Sequence, residues 1–119
     1  MRKKIIDQKI LNLASDTSNI GLKNKSQFCA SHKNKKCGDK IIIELDIKDK
    51  KILKMFYETE SCIICQASAS LLSKKIKNIP IKKIDKVLFT GQFNSLLSKK
   101  YLSRKDCVML PYYALKKAI

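Results

Sequence analysis

The most constraining stretch of this 119-residue chain is a run in which apolar residues return at every second position. Ile41, Ile43, Leu45 and Ile47 fall on one side of an extended backbone. Lys40, Glu44, Asp46 and Lys48 fall on the other, with Ile42 the exception. A period of two belongs to a strand that turns one face to a core and the other to water. Asp49 and Lys50 supply a turn, and residues 51–59 alternate again with Leu53, Met55 and Tyr57 on a shared side. Two such runs joined by two polar residues predict an antiparallel hairpin, whose apolar face the rest of the chain must cover.

The covering elements are read from a change of period. Over residues 62–77, Ile64, Ala67 and Leu71, with Ser68, Leu72 and Ile76 on the adjoining side, follow helical spacing. The small residues Ala67, Ser68, Ala69 and Ser70 predict close packing of that helix on the sheet. Ile6, Ile10, Leu13 and Ala14 predict a short amphipathic helix over 4–14, followed by a polar loop over 16–25. Residues 26–31 read as a third short strand, and the basic turn 33–36 leads into Cys37-Gly38-Asp39. Pro80 suits the first turn of a further helix carrying Ile81, Ile84 and Leu88. Gly91 breaks that helix before residues 93–97. Residues 103–106 connect to a last helix over 107–119, with Leu110, Ala114, Leu115 and Ala118 inward and Pro111 tolerable only near its start. Strands grouped before helices predict a single α+β domain over 1–119. Its architecture is a small antiparallel three-stranded sheet with an N-terminal helix and three C-terminal helices packed on one face.

Composition narrows the function. No apolar run approaches the ~20 residues that span a bilayer. The basic start through Lys4 is interrupted by Asp7, Gln8, Lys9 and Asn12, so a cytoplasmic rather than an exported protein is expected. Lys and Arg number 26 against 10 Asp and Glu, a net charge of +16. Only Arg2 and Arg104 are Arg, and there are four Phe, four Tyr and no Trp. Readers of nucleic acid favour Arg forks and stacking aromatics, so a nucleic-acid-binding module with a structural zinc is disfavoured. The lysine excess is open to two explanations. One is an AT-rich coding bias, which also raises Ile and Asn; the other is an anionic partner.

The five cysteines carry the chemistry. An odd number, with no secretion signal, argues for reduced thiols rather than a disulfide scaffold. Cys37 sits in a turn with Gly38 and Asp39, Cys62 where a strand becomes a helix, and Cys107 where a loop becomes the last helix. A thiolate at a helix N-terminus faces unpaired N–H groups, which favours its charged form. Gly38 permits a tight turn that lets Cys37 and Asp39 reach one centre. Three thiolates and a carboxylate complete a tetrahedral zinc site or one edge of an iron–sulfur cluster. Against this stands the ordinary role of cysteine as a small buried hydrophobe, to which Cys29, in an apolar strand-like stretch, is assigned. His32, between Ser31 and Lys33, reads as a solvated loop histidine rather than a ligand. Cys62-x-x-Cys65 also permits a redox reading, although thioredoxin-like motifs belong to parallel βαβ units. Cys65 either packs beside Ala69 or reaches the Asp39 centre as a reserve ligand or second relay thiol.

Cys37-Gly38-Asp39, a hairpin, Cys62-Ile63-Ile64-Cys65-Gln66-Ala67-Ser68-Ala69-Ser70 and Arg104-Lys105-Asp106-Cys107 together resemble the iron–sulfur cluster assembly scaffolds of the IscU/SufU/NifU type. The resemblance extends from about Ile6 to Ile119. Arg104 resembles the SufU side more, although the 44 residues between Cys62 and Cys107 leave no room for the SufU insertion, so the chain looks like a short, divergent SufU-like branch; Asp106 stands where IscU-type relatives carry histidine. The resemblance implies a non-enzymatic scaffold that receives sulfur from a cysteine desulfurase, builds a [2Fe–2S] cluster and passes it to recipient apo-proteins or downstream carriers. It implies Cys37, Cys62 and Cys107 as ligands, Asp39 as a labile fourth, and Cys107 as sulfur acceptor. The alternative it implies is a zinc-dependent sulfur acceptor, a sulfurtransferase holding Zn2+ on the same residues.

Overall fold

The computed structural model describes residues 8–23, 28–35, 38–88 and 105–119. The expected hairpin is present. Strand β2 (Lys40–Lys48) pairs antiparallel with β3 (Lys51–Glu60) from Lys40↔Glu60 to Lys48↔Lys51. The connecting residues Asp49 and Lys50 have φ of 54° and 63°, the left-handed pair that a two-residue hairpin turn requires. Strand β1 (Phe28–Lys33) adds to the other side of β2, from Phe28↔Leu45 to Lys33↔Lys40. It runs two residues further than the sequence pattern indicates.

The α+β architecture holds, with one addition to the expected three strands. A two-residue strand, β4 (Ile79–Pro80), pairs with Lys51 and Ile52, so the sheet order is β1-β2-β3-β4. Pro80 ends an edge strand, where its missing N–H costs nothing, and is at the same time the N-cap of the 3-10 turn that follows, one residue before the helical start expected of it. The chain then makes a 3-10 turn (Ile81–Lys83) and a short helix, α3 (Ile84–Leu88). The middle of β3 is covered as well. Tyr57 N–H donates to the Asn19 carbonyl and Gly21 N–H to the Tyr57 carbonyl, so part of the expected loop adds a parallel bridge at Ile20.

Helix α1 (Gln8–Ser15) packs on α2 (Ile63–Lys75), α2 packs on β3, and α4 (Lys105–Ala118) lies over β1 and β2. The core is the apolar face of the hairpin, Ile41, Ile43, Leu45, Met55 and Tyr57, closed by Ile10, Ile64, Leu72, Val108 and Leu115. Three details depart from the expected pattern. The register shifts between Asp46 and Ile47: Asp46 pairs with Lys54 and Ile47 with Ile52, leaving Leu53 unpaired. This bulge puts Ile52, not Leu53, in the core. Glu44, expected in water, is 3% exposed, because the 19–23 segment crosses that face and Lys23 N–H donates to its Oε1 at 2.6 Å. Pro111 stands inside α4, beyond its first turn. The expectations for residues 4–7, 24–27, 36–37 (Cys37 among them) and 89–104 fall outside the described residues. Among those described, no helix is long and apolar enough to cross a membrane.

Left-handed geometry at a residue bearing a Cβ costs about 1–2 kcal/mol. Lys50→Gly should therefore raise the free energy of urea unfolding by about 1 kcal/mol, part of the relief being offset by the greater freedom of the unfolded chain. An unchanged or lowered midpoint would show that the turn carries no strain.

Candidate metal centre

The hairpin register builds the site. Because Lys40 opposes Glu60, Asp39 and the turn after Glu60 emerge side by side at one end of the sheet. Asp39 is held there by a tight loop. Asn34 N–H donates to the Asp39 carbonyl and Gly38 N–H to the Asn34 carbonyl, both at 2.8 Å. Gly38 has φ +79°, a conformation that disfavours any side chain. Across from it, Cys62 is the N-cap of α2, in extended geometry with no side-chain capping bond. Its turn is fixed by Gln66, whose Nε2 donates to the Ser61 carbonyl at 2.9 Å and whose N–H donates to the Cys62 carbonyl at 3.0 Å. The Thr59 and Ser61 hydroxyls are hydrogen-bonded at 2.7 Å, and Thr59 also donates to the Lys40 carbonyl.

Cys107 comes from the third sequence-distant segment, the first turn of α4. It is 6% exposed, and its Sγ donates to Asp39 Oδ2 at 3.8 Å. The same carboxylate oxygen accepts the Cys62 N–H at 3.3 Å. The ligand atoms of Asp39, Cys62 and Cys107 all lie within 4.8 Å of one another. Two sulfurs bound tetrahedrally to one zinc at ~2.3 Å sit about 3.8 Å apart. The 4.8 Å limit is about 1 Å wider than that, so a small closure would bring the three donors onto one ion. Two thiolates and a carboxylate suit zinc or iron better than the hard cations magnesium and calcium, which prefer all-oxygen sites.

Of the residues singled out in the sequence, the structure brings Asp39, Cys62 and Cys107 together; Cys37 precedes Gly38 in the chain and lies outside the described residues. Cys65 is not part of the trio. It is fully buried under it, and burial pushes its thiol from 9.0 up to about 12, with Cys62 and Asp39 adding to the rise and Ser61 and Thr59 opposing it. Cys29, assigned to the core, is exposed instead. On β1, Phe28, Ala30 and His32 turn inward, so the alternation sends Cys29 out. His32 lies on that strand rather than in a loop. It is half-buried, edge-on to Tyr113 at 5.4 Å, and burial lowers its pKa, with a smaller push from Lys117. Sequence reasoning missed the Thr59, Ser61 and Gln66 network. Its one visible signal is the break in alternation at the end of β3.

The sequence from residue 5 to residue 119 matches the family model of the NifU-like N terminal domain. The iron–sulfur cluster assembly scaffold protein IscU of Thermotoga maritima is 26% identical over an alignment of 133 positions, gaps included, that covers 98% of this chain and 94% of that protein. Two solved structures share the fold. One, from Fervidobacterium islandicum, is described as an iron–sulfur cluster assembly scaffold for the SUF system. It superposes with a TM-score of 0.84 at 21% identity, covering 96% of each chain. The other is the N-terminal part of a nitrogen-fixing NifU-like protein from Brucella abortus. It has a TM-score of 0.77 at 18% identity and covers 94% of this chain and 90% of that one.

The raised thiol of Cys65 has a stability consequence. Folding favours its protonated form, so that contribution is fully present below the ordinary thiol value of 9.0 and is lost as pH rises towards about 12. Between those values, unfolding free energy should fall less steeply in Cys65→Ala than in the parent chain. Identical slopes in urea titrations across that range would show that the thiol ionises freely in the fold.

Proposed function

We propose that this chain, which belongs to the NifU-like N-terminal domain family, is a scaffold for iron–sulfur cluster assembly. The observation that carries the reading is the convergence of Asp39, Cys62 and Cys107, from three separate segments, within 4.8 Å. Cys37, directly before Gly38, is the fourth ligand of the proposal. The cargo is a [2Fe–2S] unit, held at Cys37, Asp39, Cys62 and Cys107 and released to recipient apo-proteins or downstream carriers. The protein acts as a carrier, not as a catalyst of turnover. We place it in the reducing cytoplasm, where the free cysteines Cys29, Cys62, Cys65 and Cys107 stay thiols.

Sulfur comes from a cysteine desulfurase as a persulfide. The Cys107 thiolate attacks the outer sulfur, the desulfurase S–S bond breaks, its thiolate leaves, and Cys107 carries the new persulfide. Because Cys107 is 6% exposed, its turn must move for the attack to occur. The closeness of the trio to single-ion spacing also favours a second reading, a zinc-dependent sulfur acceptor on the same residues. There zinc would be held by Cys37, Asp39, Cys62 and Cys107 and would keep the thiols deprotonated. The +16 surface serves docking to an acidic face of the desulfurase in either case.

Anaerobically purified protein should contain about one zinc or one [2Fe–2S] unit per chain, zinc without visible absorption and the cluster with it. Cys37→Ala, Cys62→Ala and Cys107→Ala should each lower the content sharply, because two thiolates and a carboxylate hold a soft ion poorly. Unchanged metal in all three variants would sink the site. Sulfur transfer from the cognate desulfurase should slow as salt is added, as expected for steered association; a rate insensitive to ionic strength would leave the lysine excess to coding bias.

A further inference from the structure

A serine in the middle of a helix usually bonds a carbonyl of its own preceding turn or points to water. Ser68 does neither. It is fully buried, and its hydroxyl donates to the Val108 carbonyl of α4 at 2.6 Å. The two ends of that bond are placed tellingly. Ser68 is on α2, whose N-cap is Cys62, and Val108 follows Cys107 in the first turn of α4. That turn has a built-in weakness, since Pro111 has no N–H to donate to the Cys107 carbonyl four residues earlier. Helical bonding alone therefore grips the Cys107 turn less firmly than an ordinary helix start.

We propose that Ser68 is a positioning residue, whose hydroxyl clasps the Pro111-weakened first turn of α4 to α2 and so holds the Cys107 sulfur in reach of Cys62 and Asp39. This deepens the scaffold reading and rests on it for its functional meaning, though not for its test. The clasp keeps the donor set assembled, and opening it exposes Cys107 for sulfur transfer.

Ser73 is the control. It is also buried on α2, but its hydroxyl donates within the helix to the Ser70 carbonyl and accepts from Asn19, with no bond to α4 among those described. The primary readout needs no metal. Metal-free, reduced protein is treated with iodoacetamide, and each cysteine's alkylation rate is followed by mass spectrometry. Ser68→Ala should raise the Cys107 rate about tenfold, the loss of one net hydrogen bond from the opening equilibrium. Ser73→Ala, an equal truncation of a buried serine on the same helix, should leave it within about twofold. As a second readout, Ser68→Ala should bind Co2+ about tenfold more weakly, with a weaker thiolate-to-cobalt band, while Ser73→Ala keeps the parent spectrum. Equal Cys107 labelling in the parent and Ser68→Ala, or an equal rise in Ser73→Ala, overturns the clasp. A parent protein that binds no Co2+ overturns the metal-site reading instead, and the labelling ratio still decides the role of Ser68.

Discussion

One carboxylate oxygen holds the functional end of this fold together. Asp39 Oδ2 accepts both the Cys62 N–H and the Cys107 thiol, and so joins the β1–β2 loop, the start of α2 and the start of α4. Each of those approaches has its own cause. The loop is turned by the left-handed Gly38, α2 begins where the hairpin register ends at Glu60, and α4 is laid over β1 and β2 by its apolar face. A partly buried carboxylate needs such donors. The N–H of an N-cap residue is one of the backbone donors that a helix start leaves without an intrahelical acceptor, and Asp39 takes up that of Cys62.

Those features explain what the sequence made visible. The hairpin is legible because alternation along β2 and β3 states both strand and buried face, and Cys62 and Cys107 are legible because each sits where one pattern gives way to another. The failures have physical origins that can be named. Glu44 and His32 each follow a local rule that a distant segment overrides, and Leu53 follows one that a register shift in its own hairpin overrides. Lys23 covers the outer face above Glu44, the bulge beside Asp46 turns Leu53 away, and Tyr113 of α4 packs on His32. Cys29 is the reverse case, an apolar-looking stretch in which strict alternation sends the thiol outward. Short edge strands such as β4 carry too few residues to show a period at all.

The middle of the chain shows why small residues were needed as well as legible. On α2, Ala67, Ser68, Ala69, Ser70 and Ser73 are all buried, so the helix is enclosed on nearly every side and has no polar stripe to mark its orientation. Enclosure by α1, α4 and the sheet demands short side chains, and each serine then brings a hydroxyl that cannot reach water. Ser73 resolves this inside its own helix and Ser68 across to α4. The same small residue type thus permits close packing and, at one position, ties the packing to the site. Sequence alone shows the first property and not the second, because it does not say which carbonyl faces the hydroxyl.

The mixture of donors also bears on what a carrier requires. Thiolates bind a soft or borderline ion tightly, while a carboxylate is a harder and more readily exchanged ligand. On the scaffold reading, three thiolates and Asp39 would carry four negative charges, more than one divalent ion neutralises. An all-thiolate set has the same charge but no weak position at which an incoming ligand could begin exchange. Asp39 is the natural weak position, since its oxygen already has two hydrogen-bond donors competing for it when no ion is bound. Lys40 and Lys105 flank Asp39 and Cys107 closely in the chain, and the chain as a whole carries a net charge of +16. Such a field lowers the cost of gathering negative ligands without contacting the ion, and it is screened over about 8 Å in physiological salt. Charge that moderates a site in this way is placed around it rather than in it. On the scaffold reading, the proposed ligands can then stay at the ends of three elements while the basic residues are spread along the chain.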